Sequence, residues 1–202
     1  DDKDSRPSLA RRATVDAIGK ALLSRFPATS HSHNRELSRL IAAMQVPGGI
    51  DKLLKETEKI GSTESLDQRA DAIHFARCLT GVSDGWTWAE RQRFLKWFDV
   101  SRDWKGGHSY AGYVSNFLRD EVSELSDEET LRVVQNAAQF QRAATQIVQR
   151  VSDKVDAAFV PALAALLETD SPPVPRESTI AALGETGRAQ AEAVLLRLYD
   201  ER

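Results

Sequence analysis

Cysteine is almost missing from this chain: Cys78 stands alone among 202 residues. One thiol forms no internal disulfide and builds no cysteine-rich metal site. It lies in the apolar stretch Ile73-His74-Phe75-Ala76-Arg77-Cys78-Leu79, where it reads as a small buried hydrophobe. Long hydrophobic runs are missing too. No stretch approaches the ~20 apolar residues of a spanning helix, so no membrane insertion is expected. Nor is there an excess of positive charge. The 27 basic residues face 30 acidic ones, and the two signs are interspersed. Binding to nucleic acid needs a basic field against the phosphates, so no nucleic-acid partner is expected. The N-terminus, Asp1-Asp2-Lys3-Asp4-Ser5-Arg6-Pro7, is polar, unlike a signal peptide, and carries no initiating Met. We therefore expect a segment cut from a longer polypeptide.

Strand signals are equally scarce. No alternating Val/Ile/Thr runs end in Asn-Gly or Asp-Gly turns. Apolar residues instead recur at spacings of three and four almost throughout, which predicts an all-α chain. A chain of this length removes roughly 70% of its unfolded surface from water, enough for a sizeable core.

Caps and breakers divide the pattern into about nine or ten predicted helices. The first runs from Ser8 to Phe26, with Leu9, Val15, Ile18, Leu22 and Phe26 on one face, and Pro27 ends it. Asn34 is the expected N-cap of a helix over 35–45, with Leu37, Leu40, Ile41 and Met44 inward. Pro47-Gly48-Gly49 turns the chain into a helix over 50–60, closed by Gly61-Ser62. The next spans about 65–79, before Gly81. Thr87-Trp88-Ala89-Glu90 and Ser126-Asp127-Glu128-Glu129 both fit the capping box. Gly106-Gly107 interrupts the pattern before a helix opened by Ser109. Leu131, Val134, Ala137 and Phe140 continue one helical face, and Ala144, Ile147 and Val151 another. A short apolar helix covers 159–167. The proline-rich connector Ser171-Pro172-Pro173-Val174-Pro175 leads to a final pair over 176–183 and 189–199. Short connectors between helices suit stacked helical hairpins, here with an irregular period of roughly 35–50 residues.

The segment Val174-Pro175-Arg176-Glu177-Ser178-Thr179-Ile180-Ala181-Ala182-Leu183-Gly184-Glu185-Thr186-Gly187 resembles the core of a HEAT repeat. Arg176 stands where that family opens its second helix. Ala181 and Ala182 stand where helices pack closely, and Leu183-Gly184 where the helix ends. Leu195, Leu196 and Leu198 match the apolar face that follows. The resemblance implies a right-handed α-α superhelix: one HEAT-like, armadillo-like solenoid over 1–202, clearest over 174–202.

The order Asn34-Arg35-Glu36-Leu37, Ile73-His74, Gly85-Trp86-Thr87, Trp97-Phe98 and Gly106-Gly107-His108-Ser109-Tyr110 looks like a narrower group. It resembles the helical-repeat segment of large secreted planctomycete-type bacterial proteins. There the segment lies between a dehydrogenase-like propeller domain and a c-type haem domain. That resemblance implies an extracytoplasmic spacer between redox modules. The haem-attachment pattern Cys-x-x-Cys-His is absent here. No cofactor is therefore assigned to this segment.

Chemistry-bearing residues are few. The region from Gly85 to Tyr113 holds all four tryptophans, Trp86, Trp88, Trp97 and Trp104, with Phe94, Phe98, Tyr110, Tyr113 and His108. Aromatics beside a Gly-Gly loop can anchor a ligand or partner. They can equally fill a wide angle between helices, and large aromatics are more often core than site. Trp97 and Phe98 sit at helical spacing from Phe94 and belong to the core. Trp86, Trp104 and His108 fall in predicted loops and, with Tyr110, are the candidate partner-binding residues.

His31-Ser32-His33 lacks the third and fourth ligands of a metal site. His74 reads as a hydrogen-bonded structural residue, and Arg91, Arg93 and Lys96 as a solvated face. No catalytic or metal-ligating set emerges. The expected role is a non-catalytic scaffold that binds a protein partner or neighbouring domains. The alternative is a contribution to an enzyme or carbohydrate-binding site through 85–113.

Overall fold

The computed structural model describes residues 9–61, 65–101, 103–105, 107–150 and 158–200, with only the backbone of 9–12. Among them the chain is all-helical, and no strand occurs. The elements are α1 (Leu9–Arg25), α2 (His31–Ala43), α3 (Gly49–Glu58), α4 (Leu66–Leu79), α5 (Trp88–Ser101) and α6 (Tyr110–Ser123). Then come α7 (Asp127–Gln135), a 3-10 turn (Ala137–Gln139), α8 (Gln141–Val148), α9 (Phe159–Leu167), α10 (Arg176–Glu185) and α11 (Ala189–Asp200). The expected start at Ser8, the place of Leu9 on its face, and Ser62, Gly106 and Val151 lie outside what is described.

Local chemistry sets most helix ends. Both expected capping boxes form. The Glu90 backbone N–H donates to Thr87 Oγ1 (3.3 Å) and the Thr87 N–H donates back to Glu90 (2.8 Å). The Glu129 N–H donates to Ser126 Oγ (3.2 Å) and the Ser126 N–H to Glu129 (2.9 Å). Ser65 and Gln68 build a third such box at α4. Each satisfies backbone donors that a helix start otherwise leaves open.

The Asn34 cap is corrected. α2 begins one turn earlier, after extended Ser30. Asn34 instead clamps the preceding loop: Oδ1 accepts from the Ala28 N–H (2.6 Å) and Nδ2 donates to the Ala28 carbonyl (2.9 Å). Where one helical face was expected through Phe140, Asn136 leaves the helical region at φ −113° and α7 stops. α2 ends in a Schellman turn. The Val46 N–H donates to Ile41 O (3.1 Å) and the Gln45 N–H to Ala42 O (2.9 Å), with Gln45 left-handed at φ 46°. The chain then comes so close that a Cβ on Gly49 would lie 2.6 Å from Ile41 Cγ2.

The chain divides between Phe94 and Leu95, within α5, into two units. In the first, α4 packs on α2 and α3, and α2 on α1 and α3. Its core includes Phe26, Ile41, Leu53, Leu54, Phe75, Leu79 and Phe94, with Phe26 edge-on to Phe75 at 5.3 Å. α1 departs from its expected face: Val15 and Ile18 are 45% and 46% exposed. Gly19 takes the close contact, where a Cβ would sit 3.0 Å from Val46 Cγ1.

In the second unit the helices form two rows. α8 packs on α6 and α10 in one row, and α9 packs on α7 and α11 in the other. The rows meet where α7 touches α8 and where α10 touches α9 and α11. From α6 to α11 every helix thus packs on its next-but-one neighbour, and α7 on α8, α9 on α10 and α10 on α11 join the rows. Phe98, Leu118, Val134, Phe140, Leu163 and Leu183 fill the space between. Arg176, opening α10, donates from Nη1 to the Leu167 carbonyl at the end of α9 (2.7 Å) and so satisfies one of its orphan acceptors.

Candidate functional site

Trp86 belongs to the first unit and is half-buried. Gly85, at φ 83°, turns the chain there. The indole stacks on Phe94 (5.6 Å, 17°) and the Arg91 guanidinium lies 4.6 Å from its centroid. Its Nε1 donates to the Val82 carbonyl (2.8 Å), so the polar edge is engaged by the protein's own backbone.

Trp104, His108 and Tyr110 belong to the second unit. Trp104 is in a loop, as predicted, and is only 4% exposed, edge-on to Trp97 at 5.7 Å. The loop returns to the end of α5, where the Trp104 backbone N–H donates to Ser101 O (3.2 Å). Tyr110 converges on the same carbonyl, its hydroxyl donating at 2.8 Å. Trp104 and Tyr110 therefore fasten the chain between α5 and α6 to one acceptor. Among the described residues Trp104 Nε1 is buried without a hydrogen-bond partner, an arrangement that costs about 1–3 kcal/mol. His108 is exposed in the turn before α6. Trp97, Phe94 and Phe98 are core, as their spacing predicts.

The expected solvated face of α5 fails at two residues. Arg91 is only 5% exposed. Arg93 reaches α3, with Nε and Nη2 on Glu58 (2.8 and 2.7 Å) and Nη1 on Asp51 (2.8 Å). Glu58, and then Asp51, hold the guanidinium charged. Lys55, and then Arg93, hold the Asp51 carboxyl below its ordinary range.

A polar cluster that sequence reasoning missed joins α2 to α4. Asp71 is only 4% exposed. Its carboxylate bonds His31 Nδ1 and accepts from Arg35 Nε (2.8 Å). His74 Nε2 lies 2.9 Å from the Arg35 carbonyl, which only accepts, so that nitrogen carries the proton. Cys78 Sγ lies 3.6 Å from the same nitrogen and 3.8 Å from Ser38 Oγ. A protonated Nε2 does not take a proton from the thiol, and burial pushes the Cys78 thiol up. The cluster is a tie between helices, without a thiolate nucleophile. The spacings His31/Arg35/Ser38 and Asp71/His74/Cys78 are each one helical face, but their pairing shows only once α2 lies on α4.

Among the described residues no three His, Cys, Asp or Glu side chains gather as a metal site, and no helix is long and apolar enough to cross a membrane. No family model matches the chain, and no curated protein or solved structure matches it.

Proposed function

We propose that this chain is a helical-repeat scaffold, an irregular HEAT-like right-handed superhelix that positions neighbouring domains or binds a protein partner and performs no reaction of its own. The supporting observation is the pair of rows in the second unit, α6–α8–α10 and α7–α9–α11. Helices that pack chiefly on near neighbours in the chain are the physical basis of a solenoid, in which each hairpin buries its apolar face against the next. The Arg176 bond to the end of α9 supports the same reading, because it ties the start of α10 to the end of the helix before it. The bonded Asp71 carboxylate and the raised Cys78 thiol support a structural role for the polar groups. The resemblance to secreted planctomycete-type proteins extends the proposal to an extracytoplasmic spacer between a dehydrogenase-like propeller and a c-type haem domain.

The test is a binding measurement of the segment against those two kinds of domain, for wild type, Trp86→Ala and His108→Ala. Saturable binding of either domain, with helical content unchanged, supports the scaffold. Loss of binding in the variants assigns docking to the aromatic region; unchanged binding assigns it to the helical rows. No binding of either domain overturns the spacer role.

A further inference from the structure

The buried side of α8 carries Ala143, Ala144, Ile147 and Val148. Its other side, with Gln141, Arg142, Thr145 and Gln146, lines a cleft of about 330 Å³ walled by Leu118, Pro173 and Pro175. Two features distinguish this cleft. The side-chain amides of Gln141 and Gln146 bond to none of the described residues, while Thr145 Oγ1 is spent on the Gln141 backbone carbonyl (2.7 Å). Arg142 is half-buried, and among the described residues its guanidinium meets only neutral acceptors, Phe98 O and Ser115 Oγ, both at 3.3 Å. Asp99 accepts from the Arg142 backbone N–H (3.0 Å) rather than from its charge, and among the described residues no acidic one lines the cleft. The cleft therefore holds a positive charge with donors to spare, between two unused amides.

We infer that this cleft docks an extended peptide segment that carries a carboxylate. A glutamine amide offers both donors and an acceptor, the complement of a peptide group. Gln141 and Gln146 both line the cleft, ~7.5 Å apart along the helix axis and roughly 140° apart around it, so they meet a bound segment from two sides. Each amide can pair with a peptide group of that segment, and Arg142 takes an Asp, Glu or C-terminal carboxylate as a charge-assisted bond. Pro173 and Pro175 supply apolar walls without backbone N–H groups to compete for the peptide's carbonyls. The inference rests on the scaffold reading for the general role and adds the partner's chemistry.

The experiment is selection of a phage-displayed library of short unstructured peptides on the full chain. Enriched peptides are then measured by fluorescence polarisation against wild type, Gln141→Ala/Gln146→Ala and Gln146→Glu. Neither amide supports the fold, so circular dichroism is expected to be unchanged. The expected result is enrichment of peptides with an acidic residue, whose affinity falls about tenfold in the double variant. It falls at least as far in Gln146→Glu, which sets like charges together. Peptides that bind both variants at wild-type strength overturn the cleft and leave the scaffold reading standing. No enrichment, or enrichment indifferent to acidic residues, overturns the cleft as well. Cleft binding that persists where neither domain binds the segment overturns the spacer role alone.

Discussion

α9 and α11 stand side by side in one row, and both are rich in apolar residues, yet they are buried very differently. α9 hides Phe159, Val160, Ala162, Leu163, Leu166 and Leu167, whereas α11 hides only Ala191 and leaves Leu196 and Tyr199 58% and 78% exposed. α9 packs between α7 and α11 and on α10. α11 packs on α9 and α10, with no helix of the second unit beyond it among the described residues. The first unit repeats the contrast. α4, held by α2 and α3, buries Phe75, Ala76 and Leu79, while α1 exposes Val15 and Ile18. In this molecule the number of flanking helices decides burial, and the side chain's own hydrophobicity only permits it.

That contrast is open to direct attack. Leu163→Ala in α9 removes a fully buried side chain, and a drop of about 2–5 kcal/mol in denaturant unfolding is expected. Leu196→Ala or Ile18→Ala on the end helices is expected to stay within about 0.5 kcal/mol. Equal losses at both kinds of position would break the comparison. Asp71→Ala extends it to a polar position of α4. The loss strips His31 and Arg35 of their shared partner, and with Arg35 partly open to solvent a cost of about 1–3 kcal/mol is expected by the same measurement.

Arg176 and Arg197 sharpen the contrast through hydrogen bonding. Arg176→Ala frees the Leu167 carbonyl at the end of α9, with an expected loss of about 1 kcal/mol. Arg197→Ala breaks only an exposed pair with Glu168, and a change in melting below about 0.5 kcal/mol is expected. The smallest effect is one of pH. The folded Asp51 carboxyl is held below its unfolded value, so its stabilisation is complete above that unfolded value and fades as pH falls through the folded one. Asp51→Asn is therefore expected to flatten the acid limb of the stability curve slightly and to leave neutral pH and above as the region of its largest deficit.

Much of the helix arrangement was legible because its punctuation is local. Thr87/Glu90 and Ser126/Glu129 hold helix starts with side chains three residues apart, and Phe159–Leu167 is bounded within its own sequence. Asn34 misled because two polar residues compete for one helix start. Ser30 takes the boundary, and Asn34 bonds backward to Ala28. The inward face of α1 misled for another reason: periodicity groups residues on a face without revealing whether a neighbour covers it.

The candidate site was less legible. Trp104 is in a loop, as expected, but the loop folds back on Ser101 and Trp97, a tertiary event with no local signal. The tie between Asp71, His31 and Arg35 spans residues 36 and 40 positions apart, and nothing in either helix alone announces the other.

The solitary thiol has a practical consequence. Cys78 sits where α4 faces α2, close to Ser38 and His74, and the rest of the chain offers no sulfhydryl to compete. An alkylating reagent added to the native protein therefore acts as a gauge of cover at that helix pair. Because the thiol is half-buried, a change in its reaction rate between variants reads how closely the pair covers it, from a single chemical event at a known address.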